Sequence, residues 1–355
     1  MNVLVTGGAG YLGSVLIPKL LIRGHRVRAL DIGYFGLEHL RAMRPAVEIL
    51  RQDLRSVLAD PAALDQLLAG MDVVIHLAAI SNDPSAELNP RLTEEVNFEA
   101  TRDLALACKQ RGIRAVFSSS CSVYGELEEE VDEDGQTKPL TTYAKSKVDS
   151  DNFIVGIANK SWRPAILRNG TLFGFSPRMR FDLVINIFSY CSTLYNEVRV
   201  FGDGLQWRPM LHVADCARAL IHFAEHPDHK HLVYNIASEN LRVVDLIPIF
   251  KAINPSCREV YVKLDNPDTR NYHVSTARMK AEGIVPRVDI RTGAEEIIEA
   301  IVTGRIADPE AVYYRNAKWL KELTELGGRN HDAMVGMLDI MVSPAGSPSV
   351  GPPKP

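Results

Sequence analysis

The chain has 355 residues, 46% apolar and 24% charged, and no apolar run long enough to span a bilayer, so it reads as globular and without a membrane segment. Its formal net charge of −4 offers no basic field for a polyanion, which leaves nucleic-acid binding without electrostatic support and requires any phosphate to be held locally. Cys108, Cys121, Cys191, Cys216 and Cys257 are scattered and form no CxxC pair, which fits reduced thiols rather than a disulfide framework or zinc site.

The start, Met1-Asn2-Val3-Leu4-Val5, lacks the basic and long apolar regions of a secretory signal, so the expected compartment is the cytoplasm. Short runs at 3–5, 27–30, 48–50, 73–77, 115–118 and 165–167 read as strands buried on both faces. The intervening stretches predict crossover helices over 11–23, 61–68, 93–111 and 143–159. The fold class expected is therefore α/β, a Rossmann-type doubly wound parallel sheet over 1–168. Residues 169–342 read as a smaller substrate-binding α/β cap interleaved with late strands of the sheet. Its helices are expected over 181–196 and 214–225, and its strands over 198–201 and 232–236. Residues 343–355, rich in Ser, Pro and Gly, read as a flexible tail.

The first strand runs into Thr6-Gly7-Gly8-Ala9-Gly10-Tyr11-Leu12-Gly13, and a helix opens at once. Glycines at 7, 10 and 13 let a backbone turn tightly and approach a pyrophosphate at the positive end of that helix. Asp31 ends the second strand, where a carboxylate accepts hydrogen bonds from ribose hydroxyls and repels a 2′-phosphate. No Arg or Lys follows in Ile32-Gly33-Tyr34-Phe35, so NAD is favoured over NADP, although a strand-ending Asp also suits an ordinary turn.

Tyr143-Ala144-Lys145-Ser146-Lys147 is a YxxxK at a predicted helix start, which puts Tyr143 and Lys147 on one face. A neighbouring ammonium favours phenolate and brings a tyrosine towards general acid or base duty. The same pattern also occurs on solvated basic faces. Here, however, the fifth strand leads into Phe117-Ser118-Ser119-Ser120-Cys121-Ser122-Val123-Tyr124-Gly125, beyond the carboxyl end of a strand, where open α/β sheets bind ligands. An extended backbone would place Ser120 and Ser122 on one side and Cys121 on the other.

Taken in order, the glycine-rich loop, His76-Leu77-Ala78-Ala79, the serine-rich strand end and the YxxxK resemble the extended short-chain dehydrogenase/reductases. The chain is similar in particular to their NAD-dependent nucleotide-sugar epimerase/dehydratase group, over residues 2–284. The resemblance implies Ser120, Tyr143 and Lys147 as the catalytic trio. For the dinucleotide it implies Gly7, Gly10, Tyr11, Leu12, Gly13, Asp31, Asp53, Leu54, Ala78 and Ala79, together with Tyr143 and Lys147. Asn97 matches a position that supports the active-site lysine, or else faces solvent. For a nucleoside-diphosphate sugar it implies Thr171, Arg208 and Arg270, the two arginines gripping the diphosphate; Thr171 departs from the family's usual Asn, and Ser122 is expected at the substrate from the strand alternation alone, with Cys121 as packing.

Three stretches stay open. Phe175-Ser176-Pro177-Arg178-Met179-Arg180-Phe181 suits a phosphate or base contact or a plain loop; residues 226–231 read as a polar turn rather than a metal site; and the seven carboxylates of 126–134 read as a solvated loop. The chemistry implied is a 4-epimerase working through a transient 4-keto sugar. A 4,6-dehydratase would need an Asp-Glu pair where Cys121 and Ser122 stand, a 4-ketoreductase fits less well with Asp31, and a non-catalytic NAD-binding regulator would ordinarily lack the Tyr or Lys. Surplus apolar residues on the helices over 93–111 and 143–159, which pair between subunits in this family, imply a homodimer.

Overall fold

The computed structural model describes residues 1–263 and 270–327; the tail expected at 343–355 lies outside the described residues. Seven parallel strands form the main sheet: β1 (Asn2–Thr6), β2 (Arg26–Asp31), β3 (Val47–Arg51), β4 (Val73–His76), β5 (Arg114–Ser120), β6 (Ala165–Asn169) and β10 (Val233–Ile236). Their spatial order is β10-β6-β5-β4-β1-β2-β3. The chain builds outward from β1 to β3, then returns to lay β4 beside β1, which opens a crevice at the carboxyl ends of β1 and β4.

Strand alternation explains why this sheet is covered on both faces. Val3 and Val5 pack with Leu16 and Leu20 of α1 (Gly13–Ile22), and with Leu220, while Leu4 between them packs on the other face with Leu104 and Cys108 of α2 (Ala100–Arg111). The two remaining major helices are α3 (Thr142–Ile157), beside α2, and α5 (Val213–Glu225), which shares the core of α1. Neither α1 nor α3 runs as far as expected: each stops two or fewer residues inside the boundaries that periodicity suggested, as frayed ends do.

One expected element is broken. The helix over 93–111 begins instead at Pro90, capped by Asn89, and passes through a π-helical turn at Glu95–Glu99 before α2. In the second half, β10 joins the main sheet beside β6, so the interleaving anticipated from the sequence is present. Four strands went unread: β7 (Thr171–Phe173), β9 (Trp207–His212) and β11 (Glu239–Arg242) form a small sheet, and β12 (Arg258–Val262) pairs in parallel with β8 (Glu197–Phe201). Around these lie α4 (Val184–Tyr195), α6 (Ile290–Val302) and α7 (Asn316–Gly327), with a separate apolar core of Phe173, Phe188, Val198, Met210 and Phe250. Among the described residues no helix is long and apolar enough to cross a membrane.

Candidate active site

The glycine loop is a cradle that side chains would fill. Gly7 has φ +69°, and a Cβ there would lie 2.7 Å from the Ala78 backbone nitrogen; one on Gly13 would collide with the Gly8 carbonyl. Gly10 closes the turn by donating to the Gly7 carbonyl at 3.1 Å. Helix α1 opens at Leu12 with no side-chain cap, so its first N–H groups are left for a ligand. The Asp31 carboxylate accepts from Ala9 N at 2.9 Å and from Gly33 N at 2.8 Å, tying the glycine loop to the loop after β2. Burial raises its pKa. These features fit a dinucleotide: a backbone concavity for the pyrophosphate and a fixed carboxylate at the ribose end.

The other residues expected at the cofactor line the same crevice. Ala78 and Ala79 follow β4 against Gly7. Asp53 follows β3, caps the helix Leu54–Ala59 through Arg55 N at 2.9 Å and pairs with Arg55 at 2.7 Å. Tyr11 sits in the glycine loop with its ring buried. Its hydroxyl donates to the Gly174 carbonyl at 2.6 Å and accepts from Asn186 at 3.2 Å, stitching the glycine loop to the second half.

Asn97 is fully buried rather than facing solvent, on the wall of the crevice. It accepts from Ile80 N at 2.8 Å and donates to Ile80 O at 3.1 Å and to Ser146 Oγ at 3.2 Å, clamping the segment after β4 onto α3. The π-helical turn is what swings this side chain inward.

Ser120, Tyr143 and Lys147 converge at the carboxyl end of β5. Thr141 caps α3 by accepting from Ala144 N at 3.1 Å, which sets Tyr143 in the first turn. Ser122 N donates to Ser120 Oγ at 3.2 Å, and the Ser120 hydroxyl favours the Tyr143 phenolate. Lys147 Nζ donates to the Ser118 carbonyl at 3.0 Å and lies 5.8 Å from the Tyr143 ring centre.

The electrostatics differ from the simple Tyr–Lys picture. Burial, then Asp83, push the Tyr143 phenol up to about 12; the Ser120 hydrogen bond and Arg180 work in the opposite direction. Burial pulls Lys147 down to about 8, against the pull of Asp151 one turn further along α3. His76, joined to Thr6 at 2.7 Å and Thr101 at 2.8 Å, is held neutral by burial, down to about 3.

The expectation for Ser122 needs correcting. The strand stops at Ser120 and residues Cys121–Tyr124 form a 3-10 turn, so strand alternation does not carry past Ser120. The Ser122 hydroxyl is enclosed and has no partner among the described residues; its backbone N–H is the part that reaches the trio. Cys121 packs as expected, its thiol donating to the Arg168 carbonyl at 3.1 Å. The carboxylates of 126–134 are not all solvated either. Glu133 is buried, accepts from Asn235 N at 2.8 Å and faces Arg278, while Val131 bridges to Val274.

Thr171 opens β7 beside Met210 of β9. Arg208 and Arg270 come together as expected, Arg208 Nη1 donating to the Arg270 carbonyl at 2.5 Å, and Arg270 pairs with Asp83. Asp83 also receives the Thr141 hydroxyl, so one carboxylate joins the cap of the catalytic helix to a candidate phosphate-binding arginine. Sequence reading overlooked Asp83, and overlooked Asp151, whose buried pair with Arg168 at 2.9 Å stands behind Lys147. The signal for Asp151 was available, as a carboxylate four residues after Lys147 on a buried helix face.

Residues 3–237 match the model of the NAD dependent epimerase/dehydratase family. An uncharacterised UDP-glucose epimerase of Bacillus subtilis is 31% identical over 233 residues, 62% of this chain and 71% of that protein. A UDP-N-acetyl-alpha-D-glucosaminuronate decarboxylase of Bacillus cytotoxicus is 28% identical over 277 residues, 74% of this chain and 83% of that protein. The UDP-glucuronic acid 4-epimerase of Bacillus cereus, solved with UDP-glucuronic acid and NAD, superposes with TM-score 0.74 at 26% identity, covering 85% of this chain and 99% of that one. The chain therefore belongs to the NAD-dependent epimerase/dehydratase family, and is an extended short-chain dehydrogenase/reductase enzyme that uses NAD.

Proposed function

We propose that this enzyme is a nucleotide-sugar 4-epimerase acting through a transient 4-keto sugar, with Ser120, Tyr143 and Lys147 as its catalytic residues. The observation that carries the reading is the convergence of Ser120, Tyr143 and a buried Lys147 at the strand ends where the cofactor cradle opens. NAD, when bound, supplies reversible hydride transfer with the sugar carbon. Tyr143 removes the proton from the sugar hydroxyl, Ser120 holds that oxygen in line, and Lys147 provides positive charge beneath the phenol. When the 4-keto sugar presents its other face, return of hydride to C4, with Tyr143 giving the proton back to the oxygen, completes an inversion.

Cys121 and Ser122 both lie in the turn, and neither can serve as the extra acid and base that loss of water from C6 requires, which disfavours a 4,6-dehydratase. Arg208 and Arg270 are the side chains for the substrate diphosphate, with Thr171 at the sugar end. We place the enzyme in the cytoplasm, as five unpaired cysteines favour, and as a homodimer through α2 and α3.

The test is NMR of UDP-glucose, UDP-glucuronic acid and dTDP-glucose incubated with the purified protein. Inversion at C4 is the expected outcome, with Tyr143→Phe slower by about 10²–10⁴-fold while NAD binding persists. Loss of CO2, loss of water or net reduction would replace the epimerase reading. Dinucleotide binding with no conversion of any sugar would reduce the protein to a regulator.

A further inference from the structure

Arg178 lies in the connection between β7 and α4, and its guanidinium is buried face-on over the Phe35 ring, with Cζ 3.8 Å from the ring centre. Its Nη1 donates to the Met179 carbonyl at 3.3 Å and its Nη2 to Asn316 Oδ1 at 2.5 Å. Its Nε is shut off from solvent and has no partner. Among the described residues no carboxylate forms an ion pair with this cation; Asp31 and Asp182 act on it only through space. Burial and the neighbouring Arg180 pull its pKa down to about 9, as befits a cation short of negative charge. A buried guanidinium with an idle donor is costly unless an anion completes it.

The surroundings say where that anion sits. On one side of Arg178 is the loop after β2, which follows Asp31 and carries Phe35. On the other is the glycine loop: Arg178 N donates to Ser176 Oγ at 3.3 Å, and Ser176 Oγ–H donates to the Tyr11 carbonyl at 2.7 Å. The guanidinium thus lies on the loop that follows the ribose carboxylate, and the backbone that carries it is tied to the glycine loop. Helix α7 backs it, because Asn316 N donates to Asp182 at 3.2 Å and Trp319 Nε1 to the Tyr34 carbonyl at 2.6 Å.

We propose that Arg178, seated by Asn316 and Phe35, is a clamp for the diphosphate bridge of the bound dinucleotide. The sequence flagged its segment only as a loop that could meet a phosphate. The clamp rests on NAD use and not on which sugar is converted, so a binding measurement tests it whatever becomes of the epimerase reading. A guanidinium this close to Asp31 has one competing use, a 2′-phosphate, and the experiment separates the two.

Protein stripped of dinucleotide is titrated by calorimetry with NAD, NADP, ADP-ribose and adenosine. Arg178→Gln is expected to bind NAD and ADP-ribose about 10–100-fold more weakly, since charge-assisted hydrogen bonds to phosphate are lost, and adenosine equally well. Asn316→Asp places a carboxylate on Nη2 and satisfies the cation in advance. It is expected to keep the fold, by circular dichroism and melting temperature, yet to weaken NAD by about 10-fold with adenosine unchanged. This second variant decides the matter if Arg178→Gln does not fold. Unchanged NAD affinity, an equal loss of adenosine in either variant, or a loss confined to NADP in Arg178→Gln would each overturn the clamp.

Discussion

At Lys147 and Tyr143 burial outweighs the attraction that the spacing of YxxxK suggests. Burial raises the phenol's pKa, against the pull of Ser120 and Arg180, and weakens the ammonium towards about 8. A base with a lowered pKa carries its charge below that value and loses it as pH rises through it. If the ammonium supports the phenol, kcat/KM must fall on the alkaline side as pH passes about 8. Lys147→Arg, whose guanidinium stays charged, should lower the rate yet move that limb upward. A parent profile that stays flat through this region would refute the assignment. Gly7, Asp31, Tyr143 and Lys147 were legible because each belongs to a short local pattern with its own geometric demand. Asp83 was not, since its partners Thr141 and Arg270 come from remote parts of the chain. Nor was the depressed Lys147, because burial is a property of the packed fold.

Elements were readable where periodicity was long and both faces of the sheet were buried, as in β1, β4 and β5. They were misread where the backbone departs from regular geometry. The serine-rich run looks extended, but it turns at Cys121. The helix over 93–111 looks continuous, but a π-helical turn rotates Asn97 into the crevice wall. No apolar spacing announces that turn, because its purpose is polar. Asn97 holds both the N–H and the C=O of Ile80. Asn97→Leu therefore leaves two backbone groups buried without partners, each costing about 1–3 kcal/mol. Urea unfolding should show a loss of about 2–4 kcal/mol with m unchanged. NAD affinity should fall with it, since residues 78–82 wall the cofactor crevice. A loss below about 1 kcal/mol would mean that water or Ser146 takes over the role, and that the turn does not exist to aim this amide.

At the scale of the molecule, the two halves share one site because long-range contacts bind them. Tyr11 of the glycine loop reaches Gly174 and Asn186, and β10 returns to the edge of the main sheet. The return was visible in outline, as an apolar run following a looser region. The small sheets were not, since their strands are short and mostly edge-placed. The paired helices α2 and α3, joined by Lys109 Nζ donating to the Ile157 carbonyl at 2.7 Å, keep apolar surface towards solvent. Val155 is 42% exposed, and Phe98, Leu106 and Phe153 are only half-buried. One copy cannot cover that stripe, whereas a second copy related by a two-fold axis presents the same stripe to it, as a self-complementary interface requires. Sedimentation at micromolar concentration should find a dimer. Phe153→Glu combined with Val155→Glu, which puts two like charges per protomer into the contact, should yield a monomer that still binds NAD. A parent that sediments as a monomer, or a double variant that stays dimeric, would remove α2 and α3 as the contact.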